Sequence, residues 1–493
     1  MTGRAGPLAL VIAGALMPAT VSATTLADAL SQAYLHNPTL NAQRSGLRVL
    51  DEAYAQARAS LGMTVTVTAE EDSQAARVDQ PGSIFSLPST LRAHGRTDAE
   101  TASVVQPLYE GGQGAAAVAA ARFDVLSGRE QLRGVEIQVL QQTITAYDDV
   151  VRDQAVLTIA ETTLEQLGQE LHEAEARFKE HEITITDKAQ AQARLAASRA
   201  SLALARARLD ASRASYVAVV GEAPDHLAPP SDLEALPETA DQAFDLAERL
   251  NTGLNAALLT EQSSRNRIAQ TRAENSATVA LRMDLVHSPV EPYDERYYQQ
   301  SFTARLVVSK PIYTSGMNSS RLREALERNN HDRVAAEGAR RGAIEAVAQA
   351  WAQLTATSSE VVILDAQLHA EQLAYDSVRQ ELRAGLRTTI EVLNAEQELQ
   401  NTKVQLVAAQ HDRHIAEAAV LAAAGALDIK SIAPDVSLYR PELNFRKADS
   451  QAPPWTGVVE AIDSLRLPNT PPLRLFGIGG SKRPVLSPPI PIP

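Results

Sequence analysis

The sequence predicts a mainly α-helical chain with a β-barrel portion: long coiled helical hairpins, internally duplicated, joined to four transmembrane strands per chain. Three observations carry this. None of the 25 prolines falls within 108–223 or 312–433, and a proline costs about 3 kcal/mol inside a helix. Apolar residues recur every seven positions through both gaps. Local motifs of the first half return in the second at fixed offsets.

At the N-terminus, Arg4, the apolar run Leu8–Met17 and the small-residue motif Val21-Ser22-Ala23 have the form of a secretory signal peptide over 1–23, cut after Ala23. No later segment reaches the roughly 20 apolar residues that a spanning helix needs, so the mature chain is expected to meet a membrane through strands of about 9–11 residues, if at all. The chain has no cysteine, which excludes disulfides, a thiol nucleophile, Cys-ligated zinc and an N-terminal lipidated cysteine. A net charge of −14 argues against a nucleic-acid partner.

An upstream helix is expected over 24–62. In the first proline gap Val150, Leu157, Leu164, Leu171 and Phe178 keep a seven-residue period, as do Leu195, Leu202, Leu209 and Tyr216. In the second, Val347, Leu354, Val361, Leu368, Tyr375 and Leu382 do so, then Val392, Leu399 and Leu406, until Arg413 breaks the pattern. Such a repeat specifies left-handed supercoiling. A second track of small residues, Ala191, Ser198, Ala205 and Ser212, and Ala395, Thr402, Ala409 and Ala416, lets helices approach closely. His181–Asp187 and Gly385–Glu391 interrupt the two tracks, which makes each region a hairpin. The arms at about 113–181 and 317–384 would reach roughly 100 Å at 1.5 Å per residue.

The halves are copies. Gln106-Pro107-Leu108-Tyr109-Glu110-Gly111-Gly112 matches Lys310-Pro311-Ile312-Tyr313-Thr314-Ser315-Gly316 at an offset of 204, and Ala33, Asn37, Leu40 and Asn41 match Ala247, Asn251, Leu254 and Asn255 at 214. Before each hairpin lies a window of alternation. Val279, Leu281, Met283 and Leu285 alternate with Ala280, Arg282 and Asp284. After a turn at Pro289–Tyr298, Phe302, Ala304, Leu306 and Val308 alternate with Thr303, Arg305 and Ser309. The first copy is weaker, in Thr64–Ala69 and Thr97–Val105. One face is apolar and the other charged. The alternation alone suits an ordinary half-buried hairpin. Export, the lack of a spanning helix and the charged face shift the reading to a membrane barrel. Four strands cannot close a barrel, so the chain must associate with copies of itself.

The expected order is therefore a helix, a strand pair at 63–110, a hairpin at 111–223, a Pro-rich linker at 224–238, a helix at 239–276, a strand pair at 277–313, a hairpin at 314–428 and a Pro-rich tail at 429–493. Trp455, Val458, Val459, Ile462 and Leu465 suit a short amphipathic helix in that tail, either a belt around the helical barrel or a loose end, and Ser487–Pro493 is expected to be disordered.

This ordered, duplicated set resembles the TolC family of outer-membrane efflux and type I secretion channels over about 25–428. The resemblance rests on Leu26-Ala-Asp-Ala-Leu…Asn37-Pro38, on the junctions Pro107-Leu108-Tyr109…Gly112 and Pro311-Ile312-Tyr313…Gly316, and on the tips Arg177-Phe178…Thr184-Ile185-Thr186-Asp187 and Gly385-Leu386-Arg387-Thr388…Glu391-Val392-Leu393. It implies a homotrimer whose strands close a 12-stranded barrel in outer-membrane lipid. Its helices would form a periplasmic α-barrel, opened at the tip by a periplasmic adaptor protein and an inner-membrane transporter. It implies a gate latch from Arg387 to Thr186 and Asp187 of the neighbouring hairpin. It also implies pore-side acids at 391 and 394, where this chain has Glu391 and a neutral Asn394. The other reading of Glu391 is that it merely starts the return helix, since acids favour the first turn. The family's latch tyrosine, three residues before the tip glycine, is Leu382 here. The missing lipidated cysteine resembles the secretion-type branch, and the cargo stays open.

Two other readings stand beside this one: a periplasmic adaptor, which usually carries one hairpin between β-rich domains, and a structural coiled-coil protein. An exported enzyme is the weakest. There is no Walker loop, nucleophile elbow or zinc helix, and no cofactor is expected. Gly111-Gly112-Gln113-Gly114 lacks a following Lys-Ser/Thr and is expected to be a junction turn. His411 and His414, three apart, suit a metal pair but are expected on a solvated polar face, and Asp148-Asp149 as exposed charge.

Overall fold

The structure, a computed structural model, describes residues 23–465 apart from 81, 83, 85–88, 232, 234, 235, 292 and 293. The segment expected as a signal peptide, apart from Ala23, and the end of the tail with Ser487–Pro493 lie outside the described residues.

The upstream segment of each copy is two helices. α1 (Leu26–His36) and α2 (Pro38–Ala59) break at Asn37. The counterparts in the second copy, α5 (Ala240–Leu250) and α6 (Thr252–Ala273), break at Asn251. A side-chain oxygen close to its own backbone competes with helix continuation. Asn37 Oδ1 accepts from the N–H of Thr39 and Leu40, while its Nδ2 donates to the Val219 carbonyl at 3.1 Å. Asn251 accepts from the Leu254 N–H and donates to the Ala423 carbonyl at 3.0 Å. Each asparagine thus starts a helix and ties it to the return arm of its own hairpin.

Between them, β1 (Thr64–Gln80) and β2 (Ser89–Tyr109) pair antiparallel, then come α3 (Gln113–Lys179) and α4 (Ile185–Val220). The second copy has β3 (Thr278–Glu291), β4 (Asp294–Ser309), α7 (Met317–Arg383) and α8 (Thr389–Ala424). The outgoing arms are 67 residues each and the return arms 36, so the duplication holds element for element at the offset of 204. At 1.5 Å per residue the long arms reach roughly 100 Å. Ala191, Leu195, Ser198, Leu202, Ala205, Leu209, Ser212 and Tyr216 of α4 are all buried, the apolar and small tracks forming one seam. On α8 the same holds for Val392, Leu399, Thr402, Leu406, Ala409 and Ala416.

The four strands form one sheet in the order β1-β2-β3-β4, so β1 and β4 are open edges. Its register lays Val65, Val104, Met283 and Ala304 in one row and Val67, Ala102, Leu285 and Phe302 in the next. The opposite face carries Thr64, Val105, Arg282 and Arg305, then Thr66, Ser103, Asp284 and Thr303, with Arg305 ion-paired to Asp284. The expected alternation is therefore continuous across both copies. The strands are longer than expected. The segment read as a turn at Pro289–Tyr298 is largely ladder, β3 pairing to β4 as far as Glu291 and Asp294. The 17 and 21 residues of β1 and β2 exceed the 9–11 that cross a bilayer. Period-2 apolar alternation marks only the part with one apolar face, and the polar remainder gave no such signal.

The described part of the tail, 429–465, packs back onto the first copy. After α9 (Ile429–Ile432), α10 (Pro441–Ser450) lies on α2, where Asn444 donates to Asp51 at 2.7 Å, Phe445 meets Tyr54 at 4.8 Å between ring centroids, and Asp449 ion-pairs with Arg58. α11 (Thr456–Ser464) continues to the start of α3.

Candidate functional site

The two hairpin tips are built alike. α3 and α7 each end in a Schellman arrangement: Glu182 N–H donates to the Arg177 carbonyl and His181 N–H to Phe178, as Leu386 does to Glu381 and Gly385 to Leu382. This closure needs a left-handed residue at the position after the cap, which favours glycine. Gly385 has φ 76°, and His181, its counterpart, takes φ 63° despite its side chain. The two tips therefore share one turn, although only one has the glycine.

The return arms then start with capping boxes, Thr184 with Asp187 and Thr388 with Glu391. Asp187 Oδ2 accepts from Thr184 N at 3.0 Å and Oγ1 at 2.8 Å. Glu391 Oε2 accepts from Thr388 N and Oγ1, both at 2.8 Å, while its Oε1 receives Arg387 Nη1 at 2.9 Å. The Thr388 backbone and hydroxyl, then Arg387, hold the Glu391 carboxyl down at about 2. The helix-starting role of Glu391 is thus filled in the structure, and its charge faces a cation of its own hairpin.

Arg387 also donates Nε to Glu381 Oε2 at 2.8 Å. Within one chain its partners are Glu381 and Glu391, and Thr186 and Asp187 are not among them. Thr186 is exposed. Asn394 Oδ1 accepts from Arg194 Nη2 of α4 at 2.9 Å, and Arg194 Nη1 reaches Gln397 at 3.1 Å, so Asn394 ties the two hairpins together. Leu382 packs with Tyr375 and Val392 inside its own hairpin. Arg194 and Glu381 gave no sequence signal, being single charges on polar faces whose neighbours are set by hairpin packing.

At the other end of each hairpin, the junction needs two left-handed residues. Gly111 and Gly112 have φ 71° and 93°, and Ser315 and Gly316 have φ 51° and 82°. A Cβ on Gly111 would lie 2.3 Å from Ser276 Cβ, so the glycine-rich run is a junction turn.

The expectation that His411 and His414 lie on a solvated face is overturned. His414 and Asp148 are both buried, with His414 Nδ1 2.5 Å from Asp148 Oδ2, and His411 Nε2 lies 3.0 Å from Asp149 Oδ1. Helix α3 of the other hairpin covers them. Among the described residues there is no cluster of three or more His, Asp or Glu able to hold a metal, and no helix is long and apolar enough to cross a membrane.

The sequence model of the outer membrane efflux protein family matches residues 29–222 and 243–426, one span in each copy. The chain is 29% identical to the outer membrane efflux protein BepC of Brucella suis over 455 residues, covering 91% of this chain and 96% of that protein. It is 24% identical to the outer membrane protein TolC of Escherichia coli, over 62% of this chain and 67% of TolC. In fold it is similar to the outer membrane protein VceC of Vibrio cholerae, with a TM-score of 0.68 at 18% identity, over 81% of this chain and 96% of VceC. Together with the duplicated hairpins and the apolar-faced strands, these matches place it in the outer membrane. The chain belongs to the outer membrane efflux protein family, whose members are TolC-like channels.

Proposed function

We propose that the chain is the outer-membrane exit duct of a tripartite efflux or type I secretion system: a passive homotrimeric channel opened at its periplasmic tip by an adaptor and an inner-membrane pump. The observation that carries this is the four-stranded sheet with two open edges and one apolar face. Unpaired strand edges cannot stand in lipid. Pairing β4 of one copy with β1 of the next, three times, would satisfy both edges in a 12-stranded barrel. The hairpins, two per chain, would then continue that ring as an α-barrel.

Two roles are proposed at the tips. Arg387 would exchange its bonds to Glu381 and Glu391 for Thr186 and Asp187 of a neighbouring hairpin as part of a closing latch. Exposed ion pairs are worth only about 0–1 kcal/mol, so such a latch yields easily to a docking partner. Threefold symmetry would bring Glu391, flanked by the neutral Asn394, around one axis as a cation-selective ring.

Purified full-length protein in planar bilayers tests the duct directly. A long-lived, cation-preferring conductance is expected, and deletion of the gene should sensitise cells to exported toxic compounds or abolish secretion of a protein. Absence of any conductance from membrane-inserted protein would contradict the reading.

A further inference from the structure

The seam between α3 and α8 packs the two hairpins of one chain together, and it buries ionisable groups at two levels. At the upper level His414 is 5% exposed and Asp148 3%. His414 Nδ1 faces Asp148 Oδ2 at 2.5 Å, and its Nε2 faces the carbonyl oxygen of Ser231, in the linker after α4, at 3.2 Å. A carbonyl oxygen only accepts, as does an ionised carboxylate. Both contacts are satisfied together only when the pair holds one proton more than a neutral imidazole and a carboxylate. One turn away, His411 Nε2 faces Asp149 at 3.0 Å and Arg152 at 3.3 Å, and its Nδ1 faces Asp412 at 2.8 Å. Arg152 also pairs with Asp149 and Asp153, and Glu417 adds its charge beside His414.

The lower level is about 30 Å nearer the tip, at 1.5 Å per residue. There Glu396 of α8 is 1% exposed, and neither of its oxygens meets a donor among the described residues. Glu170 of α3 faces it, with Tyr375 and Arg379 of α7, Glu173 of α3 and Lys403 of α8 around the pair. A cavity of about 290 Å³ opens on this side, lined by Glu170, Glu173, Arg177, Glu182, Arg379 and Arg383 among others. Two carboxyls in contact bond to each other only when one carries a proton.

We propose that these are two proton-binding sites on one seam: the protonated seam holds the hairpins of a chain together, and its deprotonation as pH rises lets them part toward the tip. Both levels act with one sign. Burial pulls the His414 pKa down, but the bond and charge of Asp148, the charge of Glu417 and the Ser231 carbonyl outweigh it and leave it above 6.5. His411 is raised too, its bonds to Asp149 and Asp412 overcoming burial and Arg152. A raised histidine contributes stability that is complete below its unfolded value and lost as pH climbs through the folded one. Burial, then repulsion from Glu170, raises Glu396, and burial raises Glu170. Their shared proton therefore persists above the usual carboxylate range and is likewise lost on the alkaline side.

The duplication supplies a contrast. At the offset of 204, Asp148, Glu170, Glu396 and His414 correspond to Ala352, Ala374, Gln192 and Asp210. The equivalent positions on α7 and α4 therefore carry neither site.

The test places spin labels on cysteines at Glu165 of α3 and Glu398 of α8, both exposed, in the full-length protein in detergent. Labelled chains are diluted with unlabelled ones, and the distance is read from pH 5 to pH 9. The distance lies within one chain, so the result does not depend on the oligomer or on transport. The separation is expected to lengthen by several ångström as pH rises. Glu396→Gln together with His414→Gln, both neutral throughout, should abolish the response. Asp148→Asn alone should move the upper transition toward acid by about one pH unit, because the imidazolium loses its counter-charge, a shift that a purely structural role would not produce. Glu396→Gln alone mimics the protonated form and should keep its helix content at pH 5. A distance that ignores pH in the unsubstituted chain, or a response that survives in the double variant, would overturn the proposal.

Discussion

Asp463 closes the N-terminus of a helix whose cap residue lies 351 residues before it: its Oδ1 accepts from the backbone N–H of Gly112 at 2.8 Å. The same oxygen takes the Glu110 N–H at 2.7 Å and Oδ2 takes the Ala115 N–H at 3.0 Å. Gly112 offers no side-chain cap to α3, so the tail supplies one, with a side chain that is 0% exposed. The C-terminal segment is thus a clasp that runs from α9 beside α1, through α10 on α2, to the point where strand turns into long helix. Losing a cap costs about 0.5–2 kcal/mol, and this one satisfies three donors. Asp463→Ala is expected to lower stability by about 2 kcal/mol, measured as the thermal midpoint of helix loss in detergent, whereas the neighbouring exposed Ser464→Ala should change little.

The tips differ at one position with a calculable effect. A non-glycine residue in the left-handed region costs about 1–2 kcal/mol. His181→Gly should stabilise the first tip by about 1 kcal/mol, and Gly385→Ala should destabilise the second by a similar amount. Slower and faster amide exchange, respectively, at the end of α3 and of α7 is the readout.

The sheet should be two-sided toward its surroundings. Leu281, Met283, Leu306 and Val308 are expected to face lipid, and Arg282 and Arg305, directly paired across β3 and β4, to face the lumen. Arginine at the lipid midplane costs about 2–4 kcal/mol, which sets the sign. Cysteines at the first set should react with a lipid-soluble reagent and resist a water-soluble one. The reverse pattern would turn the sheet inside out.

At the tip, Arg387→Ser with Asp187→Ala should raise conductance and antibiotic leakage. Glu391→Ala should weaken cation preference, and Asn394→Asp should strengthen it, read as reversal potential in a salt gradient. The Glu391 carboxyl is held at about 2, below its unfolded value. Its capping contribution is therefore present above the ordinary carboxylate range and lost only as pH falls toward 2. Selectivity due to Glu391 should accordingly persist into the ordinary carboxylate range as pH falls. Reversal potentials unaffected by Glu391→Ala would leave the residue as a helix start alone.

The long hairpins were legible because proline gaps, seven-residue periods and a fixed offset all constrain one helix at a time. The Gly111-Gly112 junction was legible for the same local reason. The breaks at Asn37 and Asn251 were less so, since an asparagine inside a helical pattern does not disclose that its amide reaches Val219 or Ala423. Nor does periodicity bring Asp463 to Gly112, or His414 to Asp148. Those contacts depend on how separate helices pack, and a histidine three residues from another on a polar-looking helix reads as solvated until the covering helix is known. Glu381 was hidden as a partner of Arg387 for a more local reason: the left-handed turn at Gly385 brings together residues six apart that no helical period aligns.

The number of chains in the outer-membrane species tests the central claim most directly. Protein mass by light scattering, with detergent subtracted, should give three copies of the full-length chain, as closing β1 and β4 edges of a four-stranded sheet into twelve strands requires. A stable monomer or dimer would leave those edges unpaired and contradict the duct.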